Sequence, residues 1–120
     1  MAYEPRWERF EAVGRDGERR AVAFLRAGFL TMGDQPELYF FRVAVARVDD
    51  KSEEIVVGIS GSSLKRFQQG RKYLSREAKI DLAGLLLKKR IEAGLALESR
   101  NLFLRDEELA QLAGELGIPV

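Results

Sequence analysis

An α+β fold is predicted by three features of the sequence. Segments rich in β-branched and aromatic residues fill the first half, strong helix formers fill the second, and Gly-containing corners separate the segments. The expected arrangement is a single domain over residues 1–120. Its N-terminal half forms an antiparallel β-sheet, and helices of the C-terminal half pack on one face of that sheet, with a long central helix over about residues 76–97. A chain of 120 residues can bury a substantial core but is too short for two domains.

In chain order, residues 7–13 and 18–30 flank Gly14-Arg15-Asp16-Gly17, whose Asp-Gly pair is a hairpin signal, so two strands are expected. Val22, Leu25, Phe29 and Met32 also recur at helical spacing. A helix over 18–28, opened by Asp16 and closed by Gly28, therefore stands beside the strand reading. Residues 31–37 hold Gly33, Asp34 and Pro36 and form a loop. Residues 38–48 are aromatic and β-branched, broken by Arg42 and Arg47. They make a strand that pairs antiparallel, across the acidic residues 49–54, with the apolar run 55–59.

The corner Ser60-Gly61-Ser62-Ser63 starts a short helix over 63–69. Ser62 or Ser63 caps it, Leu64 and Phe67 share one face, and Gly70 is the left-handed stop. Arg71-Lys72-Tyr73-Leu74 leads to a second cap at Ser75. In the long helix, Ile80, Ala83, Leu87, Ile91 and Leu95 form one apolar stripe, with Ile80, Leu87 and Ile91 facing Phe41, Val43 and Val45 of the sheet, or the residues one position along. Leu82, Leu86, Ala93 and Leu97 form a second stripe, which leaves a polar sector at Asp81, Lys88 and Glu92. Such a helix needs cover on more than one side. Either it lies between the sheet and another helix, or Leu82, Leu86 and Leu97 form an oligomer interface, for which a homodimer is the simplest assembly. Leu102-Phe103-Leu104 is a short strand or a packed connection. Asp106-Glu107-Glu108 opens a last helix with Leu109, Leu112, Ala113 and Leu116 on one face, ended by Gly117 and Pro119.

The chain contains no cysteine and no histidine. Disulfides, thiolate nucleophiles, the usual structural zinc sites and the usual neutral-pH general base are thereby removed, and ordinary catalytic triads with them. Ser62-Ser63-Leu64-Lys65 fits the S-x-x-K pattern of penicillin-recognising enzymes, but the accompanying S-D-N and K-T-G elements are missing and capping explains both serines. Residues 58–63 have the look of a phosphate cradle between strand and helix without matching either glycine-rich phosphate motif, and a capped turn is the favoured reading. Asp49, Asp50, Glu53 and Glu54 lack the spacing and glycine of a calcium loop, and read as a solvated hairpin tip. No metal and no cofactor are expected. No start segment has the pattern of a secretory signal, and no run approaches the roughly 20 apolar residues of a membrane span, so a cytoplasmic protein without membrane contact is expected.

The net charge of +1 hides a segregation. Residues 65–91 carry 9 basic and 2 acidic side chains, for +7, while residues 1–64 and 92–120 are net −2 and −4. Lys65, Arg66, Arg71, Lys72, Arg76 and Lys79 lie together beside Phe67 and Tyr73, a combination suited to phosphates and stacked bases. Against this, a pI of about 8.0 is below that of dedicated nucleic-acid domains, and basic helix faces are common on ordinary surfaces. The sequence favours a small cytoplasmic non-catalytic regulatory or protein-interaction module, homo-oligomeric, over a nucleic-acid-binding module using residues 65–79. An enzyme is the least favoured class.

Overall fold

The Gly14–Gly17 corner closes a hairpin, and the strand reading of residues 18–30 holds. In the computed structural model, which describes residues 6–45, 52–69, 74–98 and 101–118, β1 (Arg9–Val13) pairs antiparallel with β2 (Arg19–Phe29). Gly17 takes a positive φ of 79°, and the Asp16 carboxylate accepts from the Glu18 N–H at 2.9 Å, so the turn is fixed by its own residues. β3 (Glu37–Val45) and β4 (Ser52–Ile59) extend the sheet antiparallel, with Phe41 opposite Phe24 on one side and Ile55 on the other. Residues 46–48 of the expected strand, and Asp49 and Asp50 of the acidic tip, lie outside the described residues.

Leu102-Phe103-Leu104 resolves as a strand: β5 (Phe103–Leu104) lies parallel to the end of β4 and completes the order β1-β2-β3-β4-β5. Gly58 makes this pairing fit, because a Cβ there would stand 2.6 Å from the Phe103 ring. The helices α1 (Gly61–Gln68), α2 (Arg76–Glu92) and α3 (Asp106–Glu115) follow from the C-terminal half, as the α+β expectation requires.

Two helix boundaries differ from expectation for identifiable reasons. α1 begins before Ser62, because the Ser60 hydroxyl is the cap, accepting from the Ser63 N–H at 3.2 Å, and Ser63 itself is buried inside the helix. The expected stop at Gly70 falls outside the described residues. α2 starts at the expected cap, Ser75, but ends at Glu92 instead of continuing to Leu97. Gly94 at φ 72° carries the Leu95 N–H back to Arg90 O and its own N–H to Ile91 O, a Schellman closure.

Ile80, Leu87 and Ile91 are buried in one core with Phe41, Val43, Val57 and Ile59, and Val45 is half-buried at its margin. The second stripe is covered within the same chain at Leu82 and Leu86, while Ala93 is exposed. Leu82 and Leu86 are 0% exposed, with α3 and the chain entering β1 packed on α2, so the expected oligomer interface has no free surface at these positions. The expected polar sector is likewise partly wrong. Asp81 is buried and its carboxylate accepts the backbone N–H of Arg6, at 2.8 and 3.0 Å, and that of Trp7, at 2.7 Å. Gly84, one turn on, lets Trp7 come this close, since a Cβ there would stand 2.2 Å from the Trp7 carbonyl oxygen.

Candidate functional site

Anchoring the N-terminal chain to α2 has a consequence for the sheet. β1 follows the outer edge of β2 only as far as Phe24, whose N–H reaches Glu8 O at 2.7 Å, and then Trp7 and Arg6 turn away onto Asp81. No described strand lies against the outer edge of β2 over residues 25–29. A bulge between Phe24 and Arg26 marks the start of this open stretch.

The open stretch leads into the hairpin end, where apolar residues occupy a turn that normally carries polar ones. Phe29, Leu30 and Met32 are 70%, 51% and 79% exposed. The loop beneath them is pinned. Asp34 accepts from the hydroxyls of Ser60 and Ser62 and, at 3.1 Å, from the Ser62 N–H, while the carbonyls of Asp34 and Gln35 press against Gly61, where a Cβ would stand 2.2 Å from the first. The Ser60 and Ser62 hydroxyls hold the Asp34 pKa down at about 2. This is the anion that the positive end of α1 receives, and it belongs to the chain itself. The phosphate-cradle reading of residues 58–63 thus meets a cradle already filled, and Ser62 donates to Asp34 and not to Lys65.

The hairpin loop is a ridge between two depressions. One, of about 890 Å³, lies against α1 and includes Gln35, Ser62 and Lys65; the other, of about 500 Å³, lies against α2 and includes Ala27, Phe29, Gln35, Tyr39, Arg76 and Lys79. In the second, Glu37 accepts from the Tyr39 hydroxyl at 2.7 Å and from Lys79 Nζ at 2.9 Å. Burial, then this bond to a carboxylate, pushes the Tyr39 hydroxyl pKa upward.

Two of the described cations of the basic cluster are paired with acids. Arg66 donates to Asp106 at 2.9 Å and Lys79 is paired with Glu37, so these two charges are answered inside the chain. Ser63 and Arg66 in turn lower the Asp106 pKa. Arg76 lies 5.8 Å over the Phe24 ring, and neither Arg76 nor Lys65 has an ion pair among the described residues; both border the hairpin end. Arg71 and Lys72 lie outside the described residues. Leu97, the remaining residue of the expected oligomer interface, is partly buried at the opposite end of the molecule, in a depression of about 720 Å³ with Leu95 and Arg15.

Among the described residues no group of three acidic side chains is placed to hold a metal ion, and no helix is long and apolar enough to cross a membrane. The hairpin end was not singled out by sequence, although Phe29-Leu30-Thr31-Met32 running into Gly33-Asp34 is an apolar run where a loop should be polar. Set against family models, curated proteins and solved structures, the chain finds no match.

Proposed function

We propose that the protein is a small non-catalytic, cytoplasmic protein-interaction module that binds its partner through the β2–β3 hairpin end. The observation that carries this reading is the exposure of Phe29, Leu30 and Met32 on a loop that Asp34, Ser60 and Gly61 hold in place. Apolar side chains on a pinned loop lose little conformational freedom when a partner covers them, and exposed apolar patches of this kind mark interaction surfaces. Lys65 and Arg76 flank the patch and favour an acidic partner surface.

The test compares the parent with a Phe29→Ser, Leu30→Ser, Met32→Ser variant in quantitative affinity capture and in thermal unfolding. The expected result is one protein retained stoichiometrically by the parent and lost by the variant, whose Tm stays within a few degrees. Equal capture by both chains would overturn the reading.

A further inference from the structure

The open edge of β2 can be read atom by atom. In antiparallel pairing, consecutive residues direct their backbone groups alternately to one neighbour and then to the other. The Leu30 N–H goes to Pro36 O, beside β3, at 3.0 Å, so Gly28 and Arg26 face β3 as well, and the N–H and C=O of Ala27 and Phe29 point to the open side. Before the bulge, the Phe24 N–H points to the same side and is satisfied by Glu8 O. Ala27 and Phe29 therefore continue the row that β1 occupies over Arg9–Val13 and vacates when Trp7 turns onto α2.

Exposed edges are usually guarded by charge, proline or shortness. The outer edge of β4 ahead of Gly58, which also has no strand against it among the described residues, carries Glu53 and Glu54. The open part of β2 has only Arg26, whose guanidinium is drawn across the outer sheet face to Glu54 and over the Phe40 ring at 4.4 Å. Ala27, Gly28 and Phe29 themselves present no charge. On the helix side of this edge, Lys79 is paired with Glu37, which leaves Arg76 as the cation of that depression with no ion pair among the described residues.

We propose that residues 25–29 of β2 are a docking strand for an extended peptide segment of a partner protein. That segment pairs with the backbone of Ala27 and Phe29 and places a carboxylate side chain against Arg76. This inference rests on the hairpin-end reading above and specifies its partner. A second copy of β2 in the same row is disfavoured by charge, because it would bring no carboxylate to Arg76.

The experiment selects binders to the folded chain from a phage-displayed library of random linear peptides and follows the recovered peptides by amide hydrogen exchange. The expected peptides alternate apolar and polar residues and carry an Asp or Glu at a fixed place. On saturation they slow exchange at Ala27 and Phe29. N-methylation of the peptide bonds that face β2 weakens them about tenfold or more, the loss of one hydrogen bond with its partner left unsatisfied. Arg76→Gln weakens them about 2- to 5-fold, as for an exposed ion pair. Ala27→Pro abolishes binding, since only an outward N–H is removed. Arg76→Gln and the methylated peptides keep the test decisive if that variant does not fold.

Recovery of no peptide, or of peptides that leave Ala27 and Phe29 exchange unchanged, overturns the strand-docking inference. So does a protein of twice the 13.6 kDa chain mass whose Ala27 amide is already protected. The hairpin-end reading survives these results if a captured partner still depends on Phe29 and Met32, and falls with them if it does not.

Discussion

Two carboxylates illustrate how single residues set the shape of this molecule. Asp34 ties the hairpin loop to α1, and its pKa of about 2, set first by the Ser60 hydroxyl and then by Ser62, lies below the value of about 3.9 in an unfolded chain. The folded state thus binds this proton less readily than the unfolded state. The stabilisation is fully present above about pH 4 and is lost as pH falls through about 2. Asp16, held at about 2 by Arg20 and the Glu18 N–H, contributes over the same window. Urea midpoints measured across that window should fall in the parent and fall less in Asp34→Asn, which should also speed amide exchange in the 30–36 loop at neutral pH. An identical slope in both chains would contradict the assigned role. Asp81 holds two backbone amides of the N-terminal chain, so Asp81→Ala should destabilise by about 2–4 kcal/mol. Gly84→Ala gives a sharper test. In an open helix the change would stabilise by up to about 1 kcal/mol. Here the new methyl meets the Trp7 carbonyl, and chemical unfolding should show a loss of about 1–3 kcal/mol.

At the scale of elements, what the sequence reveals depends on whether the cause is local. The strands at 37–45 and 55–59 announce themselves through β-branched and aromatic runs between turns, and Ser75 announces α2 through capping, whereas Ser52, Glu53 and Glu54, expected in the acidic turn, are paired strand opposite Ala44, Val43 and Arg42. The end of α2 is less legible, because Ala93, Leu95 and Leu97 keep helical spacing past Gly94 and only the backbone conformation shows where the helix stops. Asp81 looks like a solvent residue because its partners, Arg6 and Trp7, lie more than 70 positions away in the chain. The open edge of β2 depends on that same long-range contact, so no local pattern marks it, whereas the apolar run at Phe29–Met32 is visible in the sequence. Leu86 separates the two accounts of the second stripe. On an oligomer interface, Leu86→Glu would dissociate a folded dimer; in the observed core it buries a charge among α2 and α3 and should unfold the chain. Circular dichroism and sedimentation on this variant are expected to show loss of helix, not a folded monomer.

The charge segregation of the whole molecule has a structural partner in its own C-terminal helix. The basic segment at +7 and the acidic tail at −4 meet in the fold: Arg66 pairs with Asp106, Lys89 with Glu115 at 2.9 Å and Arg90 with Glu108 at 2.5 Å, so α3 answers cations from both α1 and α2. A basic island that reads as a phosphate-binding surface in one dimension is thus partly an internal docking face in three, with Lys65 and Arg76 as the described cations left over at the hairpin end. The two accounts predict different salt behaviour. If α3 screens the island, the parent should show little binding to a DNA duplex by fluorescence anisotropy at moderate salt. An Asp106→Asn, Glu108→Gln, Glu115→Gln variant that keeps its circular dichroism spectrum should then gain affinity, with each freed cation that reaches a phosphate steepening the dependence of log K on log salt by about 0.9. If the island is itself a nucleic-acid surface, the parent should already bind at low salt with a steep slope, and neutralising the acids of α3 should change that slope little.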